Sequence, residues 1–389
     1  MDSLRIGMIG AGVIGAAHSA VLQQIGRALA ARVQLIAVAD PLSERRNLFR
    51  DLYGYQQLFA DGHDLIAHAE IDALFVCTPT RYHAALVQAA AARGRHIFCE
   101  KPLAMTYAEG QAMAEVVTRA GVHSQIGLVL RYSAVYTVMR ELLRDPRAGA
   151  PMAVLFRDDQ CFPIRGVHDS PWRADRALTA GGTLIEHGVH DLDLLTWFFG
   201  PVAQLRAWED NRAGHPGIED YMAVELRFAS GLRAQLVNVW HDMVLRPSNR
   251  RLEIFCDRAF LASDADMLGD VTYQFGDDAE LVLPAGEVLQ RFVALHPEVP
   301  TGLRDLYGVS YLVQDLAFVE ALLAGRTPAP DIAVGLAAQR LAAAAYHAAR
   351  TGEEVNVETF VPAEHTPPLR PAAAERHGPL SARSQAWRG

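Results

Sequence analysis

Cysteine is scarce in this 389-residue chain: Cys77, Cys99, Cys161 and Cys256 are scattered, with no Cys-x-x-Cys pair. That argues against a disulfide framework and a zinc site. Cys77 and Cys99 fall in apolar runs and are expected to pack as small core residues. No apolar run reaches the roughly 18 to 20 residues that a membrane helix needs. The N-terminus enters at once on a strand-like run, and no signal peptide is expected. A basic stripe is missing too, and a formal net charge of −9 argues against a nucleic-acid partner. There are no internal repeats. These absences point to a cytoplasmic protein with neither membrane nor nucleic acid as its partner. With 50% hydrophobic and 21% charged residues, the chain has the makeup of a globular protein of about two domains.

What is present begins with Leu4 to Ile9, a short apolar run of strand length. It leads into Gly10-Ala11-Gly12-Val13-Ile14-Gly15 and then into a helical stretch. A Gly-x-Gly-x-x-Gly between a strand and a helix is a dinucleotide fingerprint. The glycines allow the tight turn and let backbone approach a pyrophosphate, which meets the positive end of the helix. The next strand, Val33 to Ala39, ends at Asp40, 25 residues beyond Gly15. An acid there accepts hydrogen bonds from ribose hydroxyls and repels a 2′-phosphate, which favours NAD. Arg45 and Arg46 follow closely and leave NADP open; the competing role for Asp40 is a capping turn before Pro41.

Two further apolar strands, Ala73 to Cys77 and His96 to Phe98, alternate with helices, which predicts a parallel sheet. Ligands bind outside the carboxyl ends of such strands. Thr78, Pro79, His83, Glu100 and Lys101 lie at or just after those ends, and Arg131-Tyr132 follow the strand at Ser124 to Leu128. Glu100-Lys101-Pro102 on its own reads as a surface turn, possible in cis at the proline. Its place after a parallel strand moves it to the crevice.

Beyond Pro146 and Pro151 the pattern changes. Met222, Val224, Leu226 and Phe228 alternate with Glu225 and Arg227, and Leu232 to Leu236 repeats the alternation after Ser230-Gly231. This is a hairpin with one wet face, as in an antiparallel sheet. The expected architecture is an N-terminal Rossmann domain over 1–148, an α+β domain with a large, mainly antiparallel open sheet over 149–361, and an extended tail over 362–389. Before that hairpin, within the second domain, lies Gly181-Gly182, followed by a helix expected over Thr183 to Phe199. On it Glu186 and His190 are four apart and share a face, so the carboxylate could orient the imidazole and raise its pKa. A plain surface pair and a metal site built from Glu186, His187, His190 and Asp191 compete with this. The His-Glu-x-x-His order is absent, and no metal is expected.

In order, Gly10 to Gly15, Asp40, Thr78-Pro79 with His83, Glu100-Lys101-Pro102, and Gly181-Gly182 leading to Glu186 and His190 resemble the Gfo/Idh/MocA oxidoreductases over about residues 4–355. The resemblance implies an NAD(P)-dependent dehydrogenase acting on a sugar or cyclitol hydroxyl, with Lys101, Glu186 and His190 as the catalytic set. His190 would take the proton, Lys101 would hydrogen-bond the reacting oxygen, and Glu186 would orient or balance the pair. Trp172 and Arg173 are expected near the cofactor or sugar, or else as a loop anchor. Tyr132, Arg157, Asp159, His187, Asp191 and His241 are further substrate-contact candidates. Where relatives carry Asn-Arg-Arg-Phe, this chain has Val129-Leu130-Arg131-Tyr132, retaining the arginine and an aromatic. A homodimer or homotetramer through the open sheet face is expected. The rival readings are a glycosidase that uses bound NAD transiently and a dinucleotide-binding sensor without catalysis.

Overall fold

A computed structural model describes residues 3–30, 32–166, 169–300 and 309–362; the extended tail expected over 362–389 lies, after residue 362, outside the described residues. Six strands form the first sheet: β1 (Leu4–Ile9), β2 (Val33–Ala39), β3 (Gln57–Phe59), β4 (Ala73–Val76), β5 (His96–Cys99) and β6 (Ser124–Ile126). They are parallel, in the order β3-β2-β1-β4-β5-β6. Both faces are covered, which is why β1 and β4 read as unbroken apolar runs and not as alternating ones. The helices between are α1 (Val13–Ala28), α2 (Ser43–Tyr53), α3 (Gly62–His68), α4 (His83–Ala92) and α5 (Tyr107–Ala120); α6 (Ala134–Leu143) follows. Cys77 and Cys99 are buried free thiols, as expected.

The second sheet has nine strands: β7 (Pro151–Cys161), β8 (Val202–Asp210), β9 (Tyr221–Phe228), β10 (Arg233–His241), β11 (Asn249–Cys256), β12 (Ala259–Ser263), β13 (Val271–Phe275), β14 (Leu281–Leu283) and β15 (Val355–Asn356). Their order is β14-β13-β12-β11-β7-β10-β9-β8-β15, antiparallel but for the β10–β7 pair. The predicted β9–β10 hairpin is present, with Met222, Val224, Leu226 and Phe228 inside and Glu225 and Arg227 outside. The inner face joins Val154, Phe156, Leu236, Leu252 and Ile254 to Leu192, Leu194 and Leu195 of α7 (Val189–Phe199) in one core. The outer face leaves Leu155, Trp208 and Phe255 exposed.

After α8 (Ala285–Leu295) the chain returns to the first sheet through α9 (Val309–Leu323) and α10 (Ile332–Thr351). Gln125 donates its amide to the Gln314 carbonyl at 3.0 Å, and the Ile126 N–H donates to the Pro330 carbonyl at 2.9 Å. Gln339 of α10 closes a reciprocal pair with the backbone of Ala104, at 2.8 and 3.2 Å. Among the described residues no helix is long and apolar enough to cross a membrane.

Candidate active site

The turn after β1 is tight by construction. Gly10 has φ +98°, and a Cβ there would sit 2.4 Å from the Cys77 carbonyl oxygen. Gly12 caps α1 and faces open space, so its missing side chain leaves a berth for a ligand. The first turn of α1 has no acidic residue and no side-chain cap, so the N–H groups of Val13, Ile14 and Gly15 point outward unopposed. Asp40 accepts the Ala11 and Leu42 N–H groups at 2.9 Å each, which aims the carboxylate and leaves lone pairs for hydroxyl donors. Arg46 donates to the Asp40 carbonyl, whereas Arg45 is exposed. At the end of β4, Thr78 keeps its Oγ1 enclosed without a partner among the described residues, and Pro79 turns the chain. An anionic dinucleotide with ribose hydroxyls fits this donor and acceptor set.

Lys101 is the single lysine among the 36 lysines and arginines of the chain. It precedes Pro102 in a cis peptide. Its ammonium donates to the Glu186 carbonyl at 2.6 Å. Burial pulls the Lys101 pKa down to about 8; Arg173 and Arg250 push the same way, while Glu100 and Glu186 resist.

Glu186 lies in a π-helical turn, Leu184–Gly188, that leads into α7. This corrects the expected single α-helix from Thr183. The wider turn changes the angular spacing, and such turns recur at functional sites. The expected Glu186–His190 pairing is corrected with it. The Glu186 carboxylate accepts hydrogen bonds from the Thr179 and Thr80 hydroxyls and the Ala180 N–H, and Arg173 Nε stands 3.7 Å away. His190 is buried, and its Nδ1 meets no hydrogen-bond partner among the described residues. Its pKa is not raised but pushed well below the ordinary 6.5, by burial first and then by the charges of Lys101 and Arg250. The result is a neutral imidazole held beside a cation.

Behind His190 stands Arg250 of β11, which donates to Asp191 (2.8 Å), Asp158 (3.2 Å) and Asp266 (2.9 Å). Its guanidinium also meets His187 Nε2 at 3.0 Å. Arginine only donates, so that nitrogen must be the acceptor and the His187 proton sits on Nδ1, which lies 2.7 Å from Asp158. Asn238 links Asp191 and Asp158 through its amide. Burial raises the pKa of both acids, Asp158 to about 6. Asp191 is therefore wholly occupied within the protein, which displaces it from the expected substrate contacts.

Several other predicted contacts are placed elsewhere. Arg157, Asp159 and His241 project from the outer face of the second sheet, where Asp159 pairs with Arg157 (2.9 Å) and Arg246 (2.6 Å) and lies 3.5 Å from His241. The two-residue period of β7 sends Asp158 inward and Asp159 outward. Arg131 is locked to Asp193 by two 2.7 Å bonds, and Tyr132 donates its hydroxyl to the Ala329 carbonyl. His83 is buried, with Nδ1 and Nε2 each 2.9 Å from a carbonyl, those of Pro102 and Thr78; it ties the two turns together and is closed to a cofactor. The Glu100 carboxylate faces inward, onto His18 and the Lys101 N–H. Arg173 stacks over the Trp172 ring at 4.5 Å, between that ring and Glu186.

Arg250, Asn238, Thr179, His18 and Asp315 escaped sequence reasoning. For Arg250 a signal existed, since it shares strand parity with the buried Leu252 and Ile254. His18 and Asp315 are 297 residues apart and carry no such sign.

Residues 4–128 match the oxidoreductase family with an NAD-binding Rossmann fold, and residues 136–262 match the C-terminal domain of the same Gfo/Idh/MocA group. The chain is 26% identical over 365 residues to a myo-inositol 2-dehydrogenase of Thermotoga maritima, covering 92% of this chain and all of that one. It is 26% identical over 350 residues to a 1,5-anhydro-D-fructose reductase of Ensifer adhaerens, covering 90% and 98%. In fold it is similar to an oxidoreductase domain protein of Kribbella flavida, with a TM-score of 0.80 at 24% identity, covering 92% of this chain and all of the other.

Proposed function

The chain belongs to the Gfo/Idh/MocA oxidoreductase family with its NAD-binding Rossmann fold, and on that premise we propose that it oxidises a secondary alcohol of a sugar, sugar derivative or cyclitol, or reduces the matching ketone. The observation that carries this reading is the Lys101 ammonium fixed on the Glu186 carbonyl beside a buried, neutral His190. Residues 1–148 hold the nucleotide and 149–361 supply the alcohol-binding side, with α9 and α10 bracing the first sheet.

The Gly10–Gly15 turn, the N-terminus of α1 and Asp40 hold NAD, and Thr78 and Pro79 border it. Asp40 would favour NAD over NADP, because a carboxylate at the end of β2 accepts ribose hydroxyls and repels a 2′-phosphate. Bound NAD supplies the hydride acceptor. His190 accepts the hydroxyl proton as oxidation proceeds; a neutral imidazole is ready for that at neutral pH. Lys101 donates to the same oxygen and stabilises its growing negative charge. Glu186 acts through neighbours: its carbonyl aims Lys101 and its carboxylate balances Arg173. Trp172 and Arg173 border the cofactor or sugar beside Glu186, and His187, with its tautomer set by Arg250, contacts substrate through its exposed edge.

The test is a panel of sugars and cyclitols offered with NAD and with NADP, followed by the absorbance of reduced nicotinamide. Turnover of one or more polyols with NAD supports the proposal. Absence of turnover with every polyol and both cofactors overturns it, and release of free sugar without net reduction moves the chain to glycosidase chemistry.

A further inference from the structure

Buried between α1, the first sheet and α9 lies a charged group with no part in the chemistry above. His18, in the second turn of α1, is fully buried. Its Nδ1 lies 2.8 Å from Asp315 of α9, and its Nε2 lies 3.1 Å from Glu100. Both partners are carboxylates, and an ionised carboxylate can only accept. A neutral imidazole has one N–H and would leave one contact without a proton, so two carboxylates call for an imidazolium. Burial opposes that charge, yet the two acids raise the His18 pKa to about 10.

The second oxygen of Glu100 accepts the Lys101 N–H at 3.1 Å. The carboxylate is wedged against the Cα of Gly127, where an added Cβ would lie 2.4 Å from Glu100 Oε1. Gly127 leaves the space in which the Glu100 carboxylate sits, and His18 and the Lys101 N–H each hold one of its oxygens.

We propose that His18 is a positioning residue for Lys101: clamped between Asp315 and Glu100, it seats and balances the Glu100 carboxylate beneath the Lys101 turn, and so links the cofactor helix α1 and the returning helix α9 to the group that meets the reacting oxygen. Besides its two acids, His18 faces Tyr311 of α9 at 5.7 Å and the rings of Phe75 and Phe98; the charges of Glu100 and Asp315 also bear on the neighbouring Cys77 thiol. Lys101 is faced by Glu100, Glu186, Arg173 and Arg250, with His190 beside it. Without the imidazolium, Glu100 acts on Lys101 at full charge and favours the ammonium more strongly.

The consequence for turnover rests on the reading of Lys101 given above, whereas its titration does not. Because Lys101 is the sole lysine, protein grown on lysine carrying carbon-13 at Cε gives one side-chain resonance, and its midpoint is read directly by NMR. The parent is expected to titrate near pH 8. His18→Gln is expected to move the midpoint up by about half a pH unit or more, to lower kcat about tenfold or more, and to leave the KM for NAD within about twofold. The double variant His18→Gln with Asp315→Asn removes the stranded buried acid; it should regain thermal stability while its midpoint stays above the parent's. A folded double variant whose Lys101 midpoint and kcat both match the parent overturns the proposal, as does a moved midpoint with parental kcat. If the parent turns over no polyol, the function above fails while the Lys101 titration still decides the seating of Glu100.

Discussion

At the scale of the residue, the site turns on two protonation states. Lys101 must be cationic to support a developing alkoxide, and that state is lost as pH rises through about 8. His190 must be neutral to take a proton, and it stays so to well below pH 6.5. The kcat/KM profile for alcohol oxidation is therefore expected to be flat through neutrality and to fall above about pH 8, with the acid limb far below. Lys101→Ala should lose on the order of 10²–10³ in kcat, the scale for deleting one oxyanion donor, while fluorescence titration shows unaltered NADH binding. Full turnover in that variant would remove Lys101 from the chemistry. Lys101 was legible in the sequence because its motif follows a parallel strand. The partner of His190 was not: helical spacing suggested Glu186, but a π turn, set by packing around Gly182 and Gly188, directs that carboxylate to Thr80 and Thr179.

At the scale of the element, the long strands and helices were readable because burial imposes a period. β9 alternates strictly, while β1 and β4 are covered on both faces and read as continuous apolar runs. The elements that escaped are short or polar: β3, β12, β14 and β15 span two to five residues each. α2, with its exposed charged face, buries Phe49 alone. Too few residues repeat in such pieces for a pattern to stand out. The segment entering the π turn is the least forgiving element. Gly182 approaches Glu219 so closely that a Cβ would lie 1.8 Å from its carbonyl oxygen. The Glu219 carboxylate in turn holds the N–H groups of Gly182 and Leu184 at 2.7 and 3.0 Å. Gly182→Ala must push two backbones apart, at a cost on the order of 1–3 kcal/mol. A lowered thermal midpoint and reduced kcat are the expected readings; a parental midpoint would show that the segment yields freely.

At the scale of the whole molecule, the outer face of the second sheet presents Leu155, Trp208 and Phe255 among charged neighbours. Apolar side chains on an open sheet face can serve association, and we infer contact between copies of the chain there. Size-exclusion chromatography with light scattering should report a dimer or tetramer, and Leu155→Glu with Trp208→Glu should shift it to monomer. A monomeric parent would end that inference. The two-sheet plan was visible in the change from continuous to alternating hydrophobicity. The return of α9 and α10 onto the first sheet was not, because its ties are between single polar residues far apart in the chain.

That return has a consequence for the order in which the protein is made. A ribosome that has delivered the first 148 residues has released all six strands of the nucleotide sheet. It has not yet made Asp315, Gln314 or Pro330, which receive His18, Gln125 and Ile126. Until those arrive, a histidine and a glutamate face each other in a half-built interior, and two strand-end donors lack acceptors. The nucleotide half is finished late, by helices made only after nearly all of the second sheet.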